Sequence, residues 1–342
     1  MPQDAELSPS CSVIICTRNR PAQLRRCLEA LSCVTYPRFD VLIVDNAPVD
    51  KRSKGIAQQW GARYVVEPVA GLSRARNRGA RHCEAEILAF LDDDAVPHPH
   101  WLNGLAREFQ DPPVMAVAGQ VVALSLETEA ERLSAEIGGS EIGGAERKAV
   151  DQATPSWFEL SNFGGIGIGA NMAFRRKAFD VWPGFHERLD SGTILDGGGE
   201  NHAFFSLIDR GYRVVYTPHA VVYHPLPRTM EYFRARYLRD FADSTAYLTL
   251  LLFEEPRYWR QLMKYMIEAM RGTQRRSRAQ AVRPLPAEIF PLWRIVLAYL
   301  CGPLIYLWSR ISNASYCGRD FDAWRIIDLH HLFRKDRSEE PH

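Results

Sequence analysis

The sequence has no Cys-x-x-Cys pair, no cysteine–histidine cluster at zinc spacing, no internal repeat and no excess of charge of one sign. The missing spacings exclude a zinc finger or ribbon. A formal net charge of +1, with no basic tract dominating the first two thirds, excludes a nucleic-acid-binding protein as a class and predicts no nucleic acid partner. The seven cysteines are odd in number and fall mostly in segments that read as strands and helices, so we read them as reduced packing residues of a cytosolic protein. Residues 1–10 are polar and acidic, and no secretory signal is expected there. The longest apolar run, Ile295 to Trp308, is interrupted by Gly302-Pro303. It falls short of the roughly 20 residues that a spanning helix needs, so a buried or interfacial segment is expected.

What is present is an alternation of strand and helix signals. Strands are expected over Ser12 to Thr17, Val41 to Asp45, Arg63 to Glu67, Glu86 to Asp92 and Val114 to Leu124, with helices over Pro21 to Ser32, Lys51 to Trp60, Ser73 to Cys83 and His100 to Phe109. This β-α-β-α order predicts an α/β fold with a mostly parallel sheet covered on both faces. Ligands of such sheets bind beyond the carboxyl ends of the strands. Thr17-Arg18, Asp45-Asn46 and Asp92-Asp93-Asp94 all fall at those ends.

The three consecutive aspartates carry the most chemistry. They follow the apolar run Ile87 to Leu91, which suits a strand buried on both faces. Carboxylates so clustered repel one another, and a divalent cation such as Mg²⁺ or Mn²⁺ relieves the repulsion and can clamp a diphosphate. The plainer alternative is a solvated acidic turn. Farther on, Glu127 to Trp157 turns rich in Glu, Ala and Gly, and a mobile excursion or lid is expected over residues 127–160. A glycine-rich turn at Gly197 to Gly199 precedes a helix through Asn201 to Arg210, and two short β runs follow, Arg213 to Thr217 and Ala220 to His224. A boundary is placed near residue 228, dividing a catalytic region, 1–228, from a helical C-terminal region, 229–342, with a basic loop at Arg271 to Arg283.

The segments Ser12 to Arg20, Val44-Asp45-Asn46, Gly71 to Ala80, Phe90 to Asp94, Gly169 to Arg175, Gly184 to Glu187, Gly198 to Asn201 and Gly211-Tyr212 leading to His224 occur in an order that resembles the family 2 glycosyltransferases. The likeness covers about residues 11–228. It implies the GT-A fold and an inverting glycosyltransferase that moves one sugar from a nucleoside-diphosphate donor to a hydroxyl of a glycan or lipid-linked acceptor. It also implies that Thr17, Arg18 and Asp45 hold the nucleotide base, and that Arg74, Arg76 and Asn77 open a helix toward a diphosphate or ribose. On the Asp-x-Asp reading, Asp94 contacts the metal, while Asp92 and Asp93 share the ribose and metal-water contacts in an order the residues leave open.

In related enzymes a histidine near the position of His224 ligates the metal; a strand-end cap before Pro225 is the competing role. Relatives commonly carry Glu-Asp where this chain has Glu200-Asn201. Asn cannot accept a proton at neutral pH, so Glu200 is the favoured catalytic base, with Asp190 and Asp196 as alternatives. Asn171, Gly199 and Asn201 are assigned to the sugar or acceptor side.

Tyr232 to Arg239 interleaves aromatic and basic residues, and the expectation for 229–312 is contact with the inner face of a membrane, with packing on the catalytic region or on a second subunit as the alternatives. No Gln-x-x-Arg-Trp segment of the processive synthases is present, which favours single transfer. The rival functions are a sugar nucleotidyltransferase, which would carry a glycine-rich N-terminal phosphate loop, and a catalytically weak nucleotide-binding scaffold, suggested by Asn201.

Overall fold

The computed structural model describes residues 8–139, 141–142, 144–270 and 289–312. The basic stretch Arg271 to Arg283 and Cys317 lie outside these. Strands β1 (Cys11–Thr17), β2 (Phe39–Asn46), β3 (Arg63–Glu67) and β4 (Ile87–Asp92) alternate with helices α1 (Pro21–Leu31), α2 (Arg52–Gln59) and α3 (Leu72–Arg81), as the sequence pattern predicts. There follow β5 (Val96–Pro97), α4 (Trp101–Glu108), β6 (Val114–Ala123), α5 (Glu129–Ser134), β7 (Glu141–Ile142), β8 (Lys148–Val150), α6 (Trp157–Asn162), β9 (Asn171–Arg175), α7 (Ala178–Val181), α8 (Gly199–Asp209) and β10 (Arg213–His224). The last three helices are α9 (Met230–Glu254), α10 (Trp259–Met270) and α11 (Leu292–Ser312).

The sheet order is β3-β2-β1-β4-β9-β6-β10-β5, with β7 on β6 and β8 on β10. β9 runs antiparallel to both β4 and β6, and β10 runs parallel to β6. Two reversals restore direction, so β1, β2, β4, β6 and β10 all end at one edge. In register, Thr17 lies beside Asp45 and Cys16 beside Asp92. Alternate residues serve opposite faces: Val13 and Ile15 pack with α1 and α4, while Ile14, Leu88 and Phe90 pack with α3 and α8. That two-sided burial explains the continuous apolar runs.

Three expectations are corrected here. The two β runs at 213–217 and 220–224 are one strand, whose register on β6 slips between Thr217 and Val221, so the break seen in the sequence is a bulge. The segment expected to be a loop or lid carries α5, with a capping box between Thr128 and Glu131, and β7 and β8, which extend the sheet. Finally, Gly302-Pro303 does not interrupt the apolar run: α11 continues through it for 21 residues, long and apolar enough to cross a membrane by length and composition alone. Pro303 cannot donate to the carbonyl of Tyr299. The Thr245 hydroxyl of α9 donates to that oxygen instead, at 2.8 Å. Gly302 faces Ala242, Thr245 and Ala246 with no room for a side chain, which lets the two helices approach closely.

Candidate active site at the carboxyl edge of the sheet

Asp92 ends β4, Asp94 lies two residues on, and His224 ends β10. One ligand atom from each lies within 4.8 Å of the others. His224 Nε2 is 3.2 Å from Asp94 Oδ1 and 3.7 Å from Asp92 Oδ2. Its Nδ1 bonds the Pro225 carbonyl at 2.9 Å. A carbonyl only accepts, so Nδ1 carries the proton and Nε2 faces the carboxylates. Burial disfavours the imidazolium, but hydrogen bonds to Asp92 and Asp94 and their charge outweigh it and raise His224 to about 10. Two carboxylates and an imidazole are a donor set that suits Mg²⁺ or Mn²⁺, and a cation there would replace the Nε2 proton.

The middle aspartate has a different place. Asp93 is buried, accepts the Thr17 hydroxyl at 2.7 Å and pairs with Arg20 at 3.4 Å. Burial pushes it up to about 7, with the Thr17 hydrogen bond pulling the other way. It ties the turn after β4 to the end of β1, while Asp92 faces His224. Asp45 is wholly buried and held by the Tyr64 hydroxyl at 2.7 Å; burial raises its carboxyl, with hydrogen bonds from Tyr64 and Ser53 pulling the other way.

Two adjoining cavities meet over this edge. One, of about 580 Å³, is lined by Thr17, Arg18, Asn46, Asp92, Asp93, Asp94 and Gly192 among others. The other, of about 660 Å³, is lined by Arg76, Asn162, Glu200, Asn201 and Tyr247 among others. Asp92, Asp196, His224, Arg236, Asp240 and Asp243 belong to both.

Arg76 joins the two sides. It is buried, pairs with Asp190 at 2.8 Å, donates to the Gly169 carbonyl at 3.2 Å and lies 3.9 Å from Asp92. Asp190 adopts a left-handed backbone (φ +75°) and accepts from Ser73, Arg76 and the Gly199 amide. Through these bonds Asp190 ties α8 to α3, and it also lines the larger cavity. Gly198 before α8 has φ +87° and packs against the Tyr247 ring, where a side chain would not fit. Glu200 then opens α8 into the larger cavity. Burial first, and the nearby Asp190 charge second, raise Glu200 to about 7 against the pull of Arg76. A carboxylate poised there can accept a proton near neutral pH.

Several sequence-predicted residues support the site without lining the cavities. Asn77 bonds the Phe185 backbone through both side-chain atoms, and Arg74 pairs with Glu187 at 2.6 Å. Asn171 is fully buried in β9, bonded to Trp101, Gln120 and Ala220, and Gly199 is buried against Asp190. Asn171 thereby ties β9 to α4, β6 and β10, and Arg74, Asn77 and Gly199 tie α3 and α8 to the 184–199 loop. In the other direction, α9, for which packing on the catalytic region was the alternative to membrane contact, lines the cavity with Arg236, Asp240, Asp243 and Tyr247, none of which the sequence pattern singled out as site residues. Their spacing of four, three and four places them on one helical face, and that is the signal the sequence offered. Asp196, the other candidate base, accepts from Arg239 of the same helix at 2.9 Å.

The sequence model of "Glycosyl transferase family 2" matches residues 12–182, half of the chain. Glycosyltransferase AglE of Haloferax volcanii is 36% identical over 121 residues, covering 33% of this chain and 40% of that protein. The pre-mycofactocin glycosyltransferase of Mycobacterium tuberculosis is 28% identical over 218 residues, covering 62% and 42%. The chain thus spans about two fifths of the length of these curated relatives. Among solved structures, mannosyltransferase PcManGT from Pyrobaculum calidifontis in complex with GDP-Man and Mn²⁺ aligns with a TM-score of 0.49 and 17% identity, over 96% of this chain and 81% of that one.

Proposed function

The chain belongs to glycosyl transferase family 2, and we propose that it is an inverting glycosyltransferase that moves a single sugar from a nucleoside-diphosphate donor to a hydroxyl of a glycan or lipid-linked acceptor. The observation that carries this reading is the meeting of Asp92, Asp94 and His224 where two cavities adjoin, with Asp92 and His224 lining both, Asp94 lining the smaller and Glu200 lining the larger.

On this reading the donor occupies the cavity by Thr17, Arg18 and Asn46. Asp45, buried beside Thr17 in the sheet and held by Tyr64, would back the base end of this cavity. Asp92, Asp94 and His224 would hold Mg²⁺ or Mn²⁺, which when bound supplies positive charge against the leaving diphosphate. Arg236, exposed in the shared wall, lends its planar fork to the same phosphates. Glu200 takes the proton of the acceptor hydroxyl as the oxygen attacks the anomeric carbon, and the carbon–oxygen bond to the diphosphate breaks on the opposite face. Asn201 stands beside Glu200 as a donor and acceptor for sugar hydroxyls. Arg76, 2.8 Å from Asp190 and 3.9 Å from Asp92, offsets the negative charge of both.

The test is release of nucleoside diphosphate from a panel of sugar nucleotides, with and without divalent metal, by the wild type and Glu200→Gln. Metal-dependent release from one donor, lost in the variant, supports the reading. Equal release by both proteins removes Glu200 as the base.

A further inference from the structure

We infer that Arg76 is a positioning residue for the transfer proposed above, an inference that rests on that reading: its guanidinium holds the turn that carries Glu200 at a fixed place relative to Asp92. Arg76 lies on α3 and is 3% exposed. A charge so buried persists only when it is paired and hydrogen-bonded. Nη1 donates to Asp190 at 2.8 Å and Nη2 to the Gly169 carbonyl at 3.2 Å, and Asp92 lies 3.9 Å from Nη2. The Phe185 ring covers one face of the guanidinium, its centre 5.5 Å from Cζ. Each terminal nitrogen therefore has an acceptor inside the protein, and the fork reads the fold rather than a phosphate. Acceptors on two nitrogens and a ring on one face fix a planar group in direction as well as distance, which the single ammonium of a lysine cannot match.

The guanidinium works through the two carboxylates beside it. The Asp190 oxygen that accepts from Arg76 also accepts the Ser73 hydroxyl at 2.6 Å, and its other oxygen accepts the Gly199 amide at 2.9 Å. Gly199 is the first residue of α8 and Glu200 the second, so one carboxylate stands between Arg76 and the base-bearing turn. On the other side, Asp92 has one oxygen toward Arg76 and the other 3.7 Å from His224. Two glycines keep this space open. A side chain at Gly169 would meet Nη2 at 2.7 Å, and one at Gly199 would overlap the Asp190 carboxylate. Neither glycine has a positive φ, so room, not backbone freedom, is what each supplies.

The arrangement also sets the charge around the base. The groups that face Glu200 are Asp190 from its own loop, Arg76 from α3, Asp92 at the end of β4 and Tyr247 from α9. Of these four, Arg76 is the one cation. It opposes the burial that raises Glu200 to about 7, so loss of its charge moves the ionisation of Glu200 upward.

The experiment measures kcat and donor KM across pH for the wild type, Gly169→Ala, Arg76→Lys and Arg76→Gln, with melting temperatures alongside. Gly169→Ala leaves every charge in place and displaces the end of a flexible side chain. Its melting temperature should stay near that of the wild type, while kcat falls about 10- to 100-fold and donor KM changes far less. Arg76→Lys should lose kcat in the same way and keep the midpoint of kcat near that of the wild type. Arg76→Gln should move that midpoint up by about one unit. NMR titration of labelled glutamate carboxyls, with Glu200→Gln to assign the signal, should show the same upward move without any need for turnover. A merely structural arginine would lower the melting temperature and leave both midpoints in place. Wild-type kcat in both Gly169→Ala and Arg76→Lys overturns the inference, as does a Glu200 signal that titrates in Arg76→Gln as it does in the wild type. If Arg76→Gln does not fold, the other two variants decide. If the wild type turns over no sugar nucleotide, the transfer reading falls, and the NMR titration decides whether Arg76 holds Glu200.

Discussion

Glu200 should make the protein less stable where it is most useful. Its pKa rises from 4.5 to about 7 in the fold, through burial and the charge of Asp190. Below pH 4.5 the carboxyl is protonated both folded and unfolded and costs nothing. Between pH 4.5 and 7 the unfolded chain gives up the proton while the fold retains it, so stability falls as pH rises; above about 7 the full cost is present. A shift of about 2.5 units corresponds to about 3 kcal/mol, and coupling to Asp190 and Arg76 makes about 1–3 kcal/mol the working range. Glu200→Gln removes the ionisation. Its melting temperature without ligands should match the wild type near pH 4.5 and exceed it by about 2–4 °C at pH 8, given the entropy of unfolding of a chain this size. The same substitution should abolish turnover, and wild-type kcat should rise with pH around a midpoint near 7. Differential scanning calorimetry across pH and donor turnover read the two effects separately. An equal melting difference at both pH values, or a fully active variant, refutes the reasoning.

Asp94→Ala should remove the metal-dependent part of nucleotide binding, seen as loss of the Mn²⁺-induced thermal shift with nucleoside diphosphate, while the metal-free melting temperature changes little. Arg236→Ala should lower kcat/KM for the donor about 10- to 100-fold, the worth of one charge-assisted contact, with Arg236→Lys recovering part; unchanged kinetics would return this face of α9 to a packing role. Asp190→Ala leaves Arg76 buried without its 2.8 Å partner and should destabilise the fold by about 3–5 kcal/mol in denaturant titration, whereas Asp196→Ala, whose partner Arg239 is partly exposed, should cost no more than about 1 kcal/mol.

The sheet was legible in the sequence because its strands are buried on both faces and its helices alternate with them, so apolar runs and turn signals coincide with elements. The edge chemistry was legible for the same reason: Asp92, Asp93 and Asp94 are the first polar residues after the apolar run Ile87 to Leu91, and His224 is the last residue of β10. Asn77 and Asn171 sit close to the edge in the chain, but their side chains bond buried backbone and the Trp101 indole, and spacing alone does not give that direction. The cavity face of α9 was hidden by its composition, since Tyr232 to Arg239 suits a membrane surface as well as a polar cleft. Pro303 looked like a helix end because its compensation, the Thr245 hydroxyl, lies more than fifty residues away in the chain.

If Asp92, Asp94 and His224 hold a divalent cation against a nucleoside diphosphate, calorimetric titration of the wild type with nucleoside diphosphates, in Mn²⁺ and in chelator, repeated on His224→Ala, tests it directly. One nucleotide should bind tightly only with Mn²⁺, and His224→Ala should weaken that binding about tenfold or more. Binding that is indifferent to Mn²⁺, or no binding by any nucleotide, would contradict it.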